Sequence, residues 1–388
     1  MLKTKKGITL VALVVTIVVL LILAGISVNL VLGNDGLIER AKEAREKTAQ
    51  GQENTQKEMN IIEKNMDKSI GEWDPRKNLP TKTVEEAKAD YVDENTKVDF
   101  SDGTVVIPEG FKIADDSADT VAGGVVVEDK KGNQYVWIAV DSIDDYKRTA
   151  YSSNILTDQI DEGTNSAKIQ FSSKHDIYFY EALPEDEKES IKGYKGFYIG
   201  RYEAGDEKAT ADKKPRSSDV ASTVTIKKGQ APYNYVTRTE AISLAENFGK
   251  SLNYKAKTKL ASSYAWDTML EFIKSKTKKD YGNNSAEGNY TDTSFSYKDL
   301  INNEDQTKNS GDENDTLVPT GSTTPVCNIY DMGGNVWEWS TETNSSDIPG
   351  SCRGGDYGCS SSVYSAGFRY SYQDKAFEYV GFRIALFM

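Results

Sequence analysis

The sequence is poor in the residues that build most catalytic centres: it has one histidine, His175, and three cysteines, Cys327, Cys352 and Cys359. A single imidazole cannot supply a multi-histidine metal centre, and the stretch around His175 does not resemble a Ser/His/Asp triad. The odd cysteine count without a C-x-x-C pair indicates neither a zinc ribbon nor a thioredoxin-like motif. In an exported protein one cysteine pair could form a disulfide, and the sequence does not say which.

An excess of positive charge is also missing. Against 47 Lys and Arg stand 60 Asp and Glu, which gives a formal net charge of −13. This balance argues against nucleic acid as a partner but identifies no substrate. With 388 residues, the chain has room for about two domains, or for one large domain with appendages.

A long apolar run opens the chain. Three lysines precede Gly7, the run extends from Ile8 to Leu32, and no further charge occurs before Asp35. A helix of this length crosses a bilayer core and exceeds the apolar region of an ordinary signal peptide. The lysines before it and the acidic residues after it predict a cytoplasmic N-terminus and an exported remainder.

The boundary "KKG/ITLVALVV" resembles the class III leader of type IV pilins and pseudopilins. The resemblance implies cleavage by a prepilin peptidase between Gly7 and Ile8 and methylation of the new N-terminus. It also implies a helix that anchors in the cytoplasmic membrane and later packs with other pilins or pseudopilins. Most pilins have glutamate at the fifth mature position, whereas this chain has Ala12, which weakens filament incorporation rather than membrane insertion. A plain single-span anchor is the alternative.

These features predict an ordered series of segments. They are a leader (1–7), a transmembrane or pilin helix (8–33), a helical stalk (34–70), a linker (71–94) and a β-rich exported region (95–388). Apolar residues at spacings of three and four predict the stalk helix, and Pro75 and Pro80 mark the linker. The exported region is expected at the cell surface or on a pilus after processing.

Strands and two helices are predicted within the exported region. "KKGN" between "VVVED" and "QYVWIAV" is typical of a hairpin turn. "TRTEAISLAENFG" predicts a helix capped by Thr237 or Thr239 and ended by Gly249. "ASSYAWDTMLEFIKSKT" predicts a second helix, capped by Ser262 or Ser263, with its apolar face in the core. The stretch 278–321 is rich in small polar residues and predicts a long surface excursion.

The C-terminal two-thirds contains a series of motifs, which are, in order, "GFYIGRYEAG", "YNYVTRTEAISLAENFG", "ASSYAWDTMLEFI", "NIYDMGGNVWEWS", "CRGGDYGCSSSVYSAGFRYS" and "VGFRIAL". This series resembles the formylglycine-generating-enzyme or sulfatase-modifying-factor domain. The resemblance covers about residues 130 to 388 and implies a C-type-lectin-like fold. The predicted fold class is therefore α+β, a long N-terminal helix followed by a C-type-lectin-like domain.

The motif "NIYDMGGNVWEWS" brings two carboxylates close to a glycine turn. Asp331 and Glu338 can converge there with backbone carbonyls, the ligand set that calcium prefers. The resemblance implies the same ligands, namely the side chains of Asp331 and Glu338 and the carbonyls of Gly334 and Val336. The alternative is that the carboxylates satisfy backbone amides. The tryptophans of the motif are expected in the core.

The cysteines decide the expectation about catalysis. Formylglycine-generating enzymes hold copper with two cysteines five residues apart after the R-G-G segment, and two thiolates suit copper(I). Cys359 stands at the first of these positions, but Tyr364 occupies the second, and Cys352 precedes R-G-G. Copper and oxidase activity are therefore not expected. Should the enzyme alternative hold, Cys359 is the catalytic residue, and a cysteine of a sulfatase-like protein is the substrate.

The remaining expectation is a binding protein, an adhesin or receptor for an extracellular protein or glycan. Loops over a rigid scaffold carry recognition, and tyrosine, serine and aspartate suit it, as in antibody loops. The segment 356–379 also resembles the C-terminal variable region of retroelement-diversified proteins, which end in G-F-R. A sheet-covering aromatic surface is the alternative for the tyrosines. The predicted ligand-binding residues are Asp356, Tyr357, Ser360, Ser361, Tyr364, Tyr370, Tyr372, Gln373 and Asp374, with Tyr379 nearby.

Overall fold

The computed structural model describes residues 15–21, 74–152, 154–161, 166–207, 223–299, 303–311, 316–345 and 350–388. The predicted leader and stalk, and most of the predicted span, lie outside these residues. Residues 15–21 are helical and solvent-exposed. No helix in the described ranges combines the length and apolarity needed to cross a membrane. The chain divides into two compact units, Met1–Asp74 and Pro75–Met388, and the second unit contains the fold described below.

The second unit is a mixed α/β domain. Its helices are α1 (Val84–Ala89), α2 (Glu185–Tyr194), α3 (Arg238–Ser251) and α4 (Ser263–Thr277), with 3-10 turns at Pro75–Asn78 and Ile143–Asp145. Its strands are β1 (Thr81–Lys82), β2 (Thr96–Phe100), β3 (Gly103–Ile107), β4 (Phe111–Ile113), β5 (Val126–Asp129), β6 (Gln134–Ala139), β7 (Ile155–Asp161), β8 (Ser166–Ser172), β9 (His175–Tyr180), β10 (Gly196–Gly200), β11 (Gly205–Asp206), β12 (Val224–Thr225), β13 (Ala231–Pro232), β14 (Lys257–Leu260), β15 (Phe295–Lys298), β16 (Asp305–Lys308), β17 (Trp337–Asn344), β18 (Gly350–Arg353), β19 (Arg369–Tyr372), β20 (Val380–Phe382) and β21 (Ile384–Phe387).

Two sheets dominate the domain. One has six strands in the order β14-β21-β10-β6-β5-β4. The other runs β19-β18-β17-β9-β8-β7, and β20 joins it in parallel on β17. The C-terminal strands β20 and β21 therefore contribute one strand to each sheet. This connection places β20 beside the "NVWEWS" strand β17.

Helix α4 packs against both sheets, through β6 and β17. Its residues Trp266, Met269, Leu270 and Ile273 are buried, as the spacing of apolar residues predicts. Ser262 is the cap, since its side chain accepts a hydrogen bond from the backbone N–H of Ala265. The second predicted helix is therefore confirmed, and it forms part of the domain core.

Helix α3 begins as predicted but ends later. Thr237 caps it in a capping box with Glu240. Gly249 does not end the helix, which continues to Ser251. The glycine serves a close approach instead, because a Cβ there would lie 2.9 Å from Thr258 Oγ1. The backbone N–H of Gly249 donates to that same hydroxyl over 2.8 Å.

The local turn prediction holds, while the predicted surface excursion is partly wrong. "KKGN" joins β5 to β6, and Gly132 takes a positive φ of 82° there. Within 278–321 the hairpin β15–β16 forms, but Ser285, Asn289 and Tyr290 are fully buried. The hydroxyl of Tyr290 lies 2.8 Å from the carbonyl oxygen of Gly354 and 2.9 Å from that of Tyr364. The segment 278–321 thus packs against the C-terminal loops and supports them through Tyr290.

Candidate functional site

The glycine turn of "NIYDMGGNVWEWS" is tightly packed. Gly334 has a φ of 69°, and a Cβ on it would lie 2.1 Å from the carbonyl oxygen of Asn289. The strand that follows buries both indoles, with Trp337 2% and Trp339 0% exposed. Trp339 Nε1 donates to the carbonyl of Val236 over 2.9 Å. The expected core role of the two tryptophans is confirmed.

The glutamate between these tryptophans pairs with the arginine of the terminal G-F-R. Arg383 Nε lies 2.9 Å from Glu338 Oε2, and its Nη2 lies 2.7 Å from Oε1. The same guanidinium donates to the carbonyls of Gly200 and Asp331. Burial lowers the pKa of Arg383, but the carboxylate of Glu338 outweighs burial and raises that pKa overall. The "GNVWEW" motif and the terminal "GFR" motif are thus linked by a buried ion pair between Glu338 and Arg383.

The residues predicted for calcium do not fit the ion in this arrangement. Both carboxylate oxygens of Glu338 accept from Arg383. The carboxylate of Asp331 accepts from Thr323 Oγ1 over 2.6 Å and from the backbone N–H of Gly321. Within the described ranges, no group of three or more His, Cys, Asp or Glu side chains could hold a metal ion. In this structure the cation next to Glu338 is the guanidinium of Arg383.

Sequence reasoning missed a third acid near this pair. Glu203, from "GRYEAGD", is fully buried, and its Oε1 accepts from Asn335 Nδ2. Burial, together with Asp331 and Glu338, raises the pKa of Glu203 well above its ordinary value. Burial and the two neighbouring acids thus disfavour the charged form of this carboxyl.

A second buried ionic network underlies the R-G-G segment. Arg353 Nη2 lies 2.6 Å from Asp267 Oδ1, and Arg369 bonds to both Asp267 and Glu342. Arg148 completes the network on Glu342. Burial raises the pKa of Glu342, but Arg369, Arg148 and Arg353 outweigh it and lower that pKa to about 2. Three arginines and two acids thus join the middle of the chain to β17, β18 and β19.

The cysteines near the R-G-G segment lie in different environments. Cys352 is fully buried on β18, and burial raises its pKa well above the ordinary value. Cys359 is half-buried in the loop beyond R-G-G. At the expected second position, the ring of Tyr364 packs against Trp337 and Phe368, with centroids 5.7 and 5.0 Å away. Burial raises the pKa of Cys327 to about 11.

Four half-buried aromatic side chains contact one another, and a fifth, Tyr364, joins them through the buried ring of Trp337; together they are named the aromatic face. Ring centroids are 5.1 Å apart for Tyr370–Tyr372, 5.3 Å for Tyr372–Phe377 and 5.4 Å for Phe377–Tyr379. The buried ring of Trp337 lies behind several of them, 5.7 Å from Tyr370. The face consists of Tyr364, Tyr370, Tyr372, Phe377 and Tyr379.

The structure brings some of the predicted ligand-binding residues together and separates others. Tyr364, Tyr370 and Tyr372 belong to the aromatic face. Ser360 and Ser361 lie beside it, where both bond to the carboxylate of Asp292. The others are placed as follows: Asp356 is buried behind the loop, Tyr357 is half-buried, Gln373 is exposed, and Asp374 accepts from Thr239 at the start of α3. Phe377, Asp292 and the exposed Val363 were not predicted.

Two cavities formed by described residues lie away from the aromatic face. One of about 460 Å³ is lined by residues of β12 and α3, such as Thr225 and Phe248. Another of about 490 Å³ is lined by Thr268 and Glu271 of α4 and by the loop after β6. The aromatic face itself is an open surface, which suits contact with an extended partner more than enclosure of a small molecule.

Residues 93–387 match the profile of the sulfatase-modifying factor enzyme 1-like domain. The chain belongs to this family. Both ionic networks and the whole aromatic face lie within the matched span of the sulfatase-modifying factor enzyme 1-like domain. No curated protein sequence matches the chain.

Solved structures similar to this sulfatase-modifying-factor-like chain are remote in sequence. Treponema denticola variable protein 1 is 14% identical, with 66% of this chain and 96% of that chain covered and a TM-score of 0.34. PvdO from Pseudomonas aeruginosa is 15% identical, with 68% and 98% covered and a TM-score of 0.35. The Major Tropism Determinant P3c variant is 11% identical, with 80% and 99% covered and a TM-score of 0.26. None of these likenesses assigns a function to the chain.

Proposed function

We propose that this protein is a non-catalytic adhesin or receptor that binds an extracellular protein or glycan through its C-terminal loops. The observation that supports this most directly is the aromatic face, in which four half-buried rings contact one another and Tyr364 joins them through Trp337. Tyrosine gives a large contact area at small entropic cost. Aromatic residues of this kind dominate the binding energy of protein interfaces.

The supports of the aromatic face are rigid. Tyr370 and Tyr372 stand on β19, which pairs with β18 in register from Gly350↔Tyr372 to Arg353↔Arg369. Arg353 and Arg369 at the end of this register are fixed by Asp267 and Glu342. A ligand therefore meets rings that are already positioned, which lowers the entropic cost of binding.

The cysteine arrangement supports a binding role over oxidase chemistry. A copper(I) thiolate site needs two soft ligands. Cys359 offers one, the ring of Tyr364 packs against Trp337 where the second is expected, and Cys352 is fully buried. In this proposal the loop beyond R-G-G has become part of a contact surface.

The binding proposal is tested with the full-length chain on arrays of extracellular proteins and glycans. We expect specific binding that weakens by about five- to thirtyfold in Tyr370→Leu and Tyr372→Leu, because each change removes a central ring at a cost of roughly 1–2 kcal/mol. Tyr91→Leu is the matched control, since Tyr91 is half-buried on another part of the domain. Equal binding by all three variants, or oxygen-dependent oxidation of a cysteine peptide after copper(I) loading, would overturn the proposal.

We further propose that the N-terminal segment is processed as a prepilin and holds the protein in the cytoplasmic membrane or in a pilus. The basis is the sequence "KKG/ITLVALVV". Co-expression with a prepilin peptidase should give a mature chain that begins at methylated Ile8, as read by N-terminal mass spectrometry. A Gly7→Val variant should stay uncut. A chain that keeps Met1 to Gly7 in the presence of active peptidase would contradict this part of the proposal.

A further inference from the structure

The surroundings of the aromatic face are acidic. Asp356 follows the R-G-G segment, and Asp292 holds the two serines beside the face. Asp374 and Glu378 lie in the loop that carries Phe377, where Lys375 is the one oppositely charged residue of segment 373–379. The buried network beneath β19 has three arginines and two acids and therefore offsets only one of these negative charges. The four acids named here thus outnumber Lys375 and that one uncompensated arginine charge.

One of these carboxylates has a fixed position behind the rings. Asp356 is 9% exposed, its Oδ1 accepts from the backbone N–H of Gly358 over 2.8 Å, and its carbonyl accepts from that of Cys359 over 3.0 Å. Its charge reaches Tyr364, Tyr372 and Tyr379, where it adds to burial in raising the phenol pKa values. These three phenols therefore stay neutral at physiological pH.

From this arrangement we propose that the partner of the aromatic face is a basic polypeptide whose lysine or arginine side chains lie over the tyrosine rings. The inference rests on the proposed function and names its ligand class. An ammonium or guanidinium group is attracted to the negative face of an aromatic ring within about 6 Å of the centroid. The carboxylates around the rings strengthen that attraction and disfavour an acidic partner.

The arrangement of the rings sets how many basic side chains the face can meet. Tyr372, Phe377 and Tyr379 form a compact cluster with ring centroids 5.3, 5.4 and 5.9 Å apart, and Tyr370 lies 5.1 Å from Tyr372. One cation can lie over this cluster. An extended peptide projects alternate side chains to one side at intervals of roughly 7 Å, so the next basic side chain on that side can reach the part of the face formed by Tyr370. Exposed Val363 beside Tyr364 adds an apolar contact for the aliphatic stems of lysine and arginine.

The experiment measures binding of labelled peptides to the full-length chain by fluorescence anisotropy. Three peptides of equal length alternate serine with lysine, with arginine or with glutamate, and a neutral glycan array is run beside them. We expect the lysine and arginine peptides to bind at least about tenfold more tightly than the glutamate peptide. Asp356→Asn and Tyr370→Leu should each weaken that binding by about fivefold.

Matched controls separate this site from general attraction to an acidic protein. Asp115→Asn removes the same charge from an 89% exposed side chain in the loop between β4 and β5, and should weaken binding by less than about twofold. Equal losses in Asp115→Asn and Asp356→Asn would overturn the inference. If glycans or neutral proteins bind in a Tyr372-dependent way while the basic peptides do not, the inference fails and the proposed function stands. If nothing binds, both fail.

Discussion

Replacement of Glu342 by glutamine should lower the free energy of unfolding by about 3–5 kcal/mol. Glu342 is fully buried, accepts two 3.0 Å hydrogen bonds from Arg369 Nε, and also pairs with Arg148. Glutamine keeps the shape but removes the charge. Two arginines then lose a carboxylate partner in a fully buried site, and an uncompensated buried charge is far more costly than a lost surface pair.

The pH dependence gives this prediction a second readout. The folded-state pKa of Glu342 is lowered to about 2 from the usual 4.5. Its stabilisation is therefore fully present above about pH 5 and is lost as the pH falls toward 2. The difference in unfolding free energy between wild type and Glu342→Gln should shrink over that interval.

The measurement is denaturant unfolding of the full-length chain, followed by tryptophan fluorescence, since Trp137, Trp266, Trp337 and Trp339 are all buried in the domain. Glu207→Gln is the matched control. Glu207 is 51% exposed and pairs with Lys227 over 3.3 Å, so its loss should cost less than about 1 kcal/mol. Similar losses of unfolding free energy in the two variants would show that the buried network stabilises the fold no more than a surface ion pair does.

Features with local causes were predictable from the sequence. Helix α4 follows from the spacing of its apolar residues and its serine cap, and the β5–β6 turn follows from "KKGN". The family resemblance was also predictable, because it rests on the order of motifs along one sequence. Its matched span, 93–387, begins earlier than the predicted core at about residue 130.

Features that depend on partners distant in sequence were not predictable. Asp331 and Glu338 have the spacing and chemistry of calcium ligands, but only the folded chain brings Arg383 onto Glu338. The same holds for Arg353, whose partner Asp267 lies on α4. The place of Phe377 in the aromatic face was not predictable either, because the contact of Phe377 with Tyr372 depends on how the loop before β20 folds. A carboxylate pattern alone cannot distinguish a metal ion from a guanidinium, because each supplies positive charge to the same oxygens.

Replacement of Arg383 by methionine should lower the free energy of unfolding by about 3–5 kcal/mol. The substitution leaves Glu338 buried beside Asp331 and Glu203 without its cation. The double variant Arg383→Met, Glu338→Leu should recover at least about half of the loss, since a well-packed apolar pair can replace a buried ion pair. A double variant no more stable than Arg383→Met alone would show that the guanidinium acts mainly through its bonds to the carbonyls of Gly200 and Asp331.

Unfolding measured with and without calcium tests whether a metal ion or Arg383 carries the positive charge next to Glu338. A ligand that binds only the folded state raises the unfolding free energy by RT ln(1 + [L]/Kd), about 2.7 kcal/mol at a hundredfold excess over Kd. Because Arg383 occupies both oxygens of Glu338, calcium should leave the unfolding midpoint of the wild-type chain unchanged. Stabilisation of the wild type that disappears in Glu338→Gln would instead assign the charge at this turn to calcium. In Arg383→Met the carboxylate is released, so calcium stabilisation confined to that variant would show that the arginine replaces a metal ion.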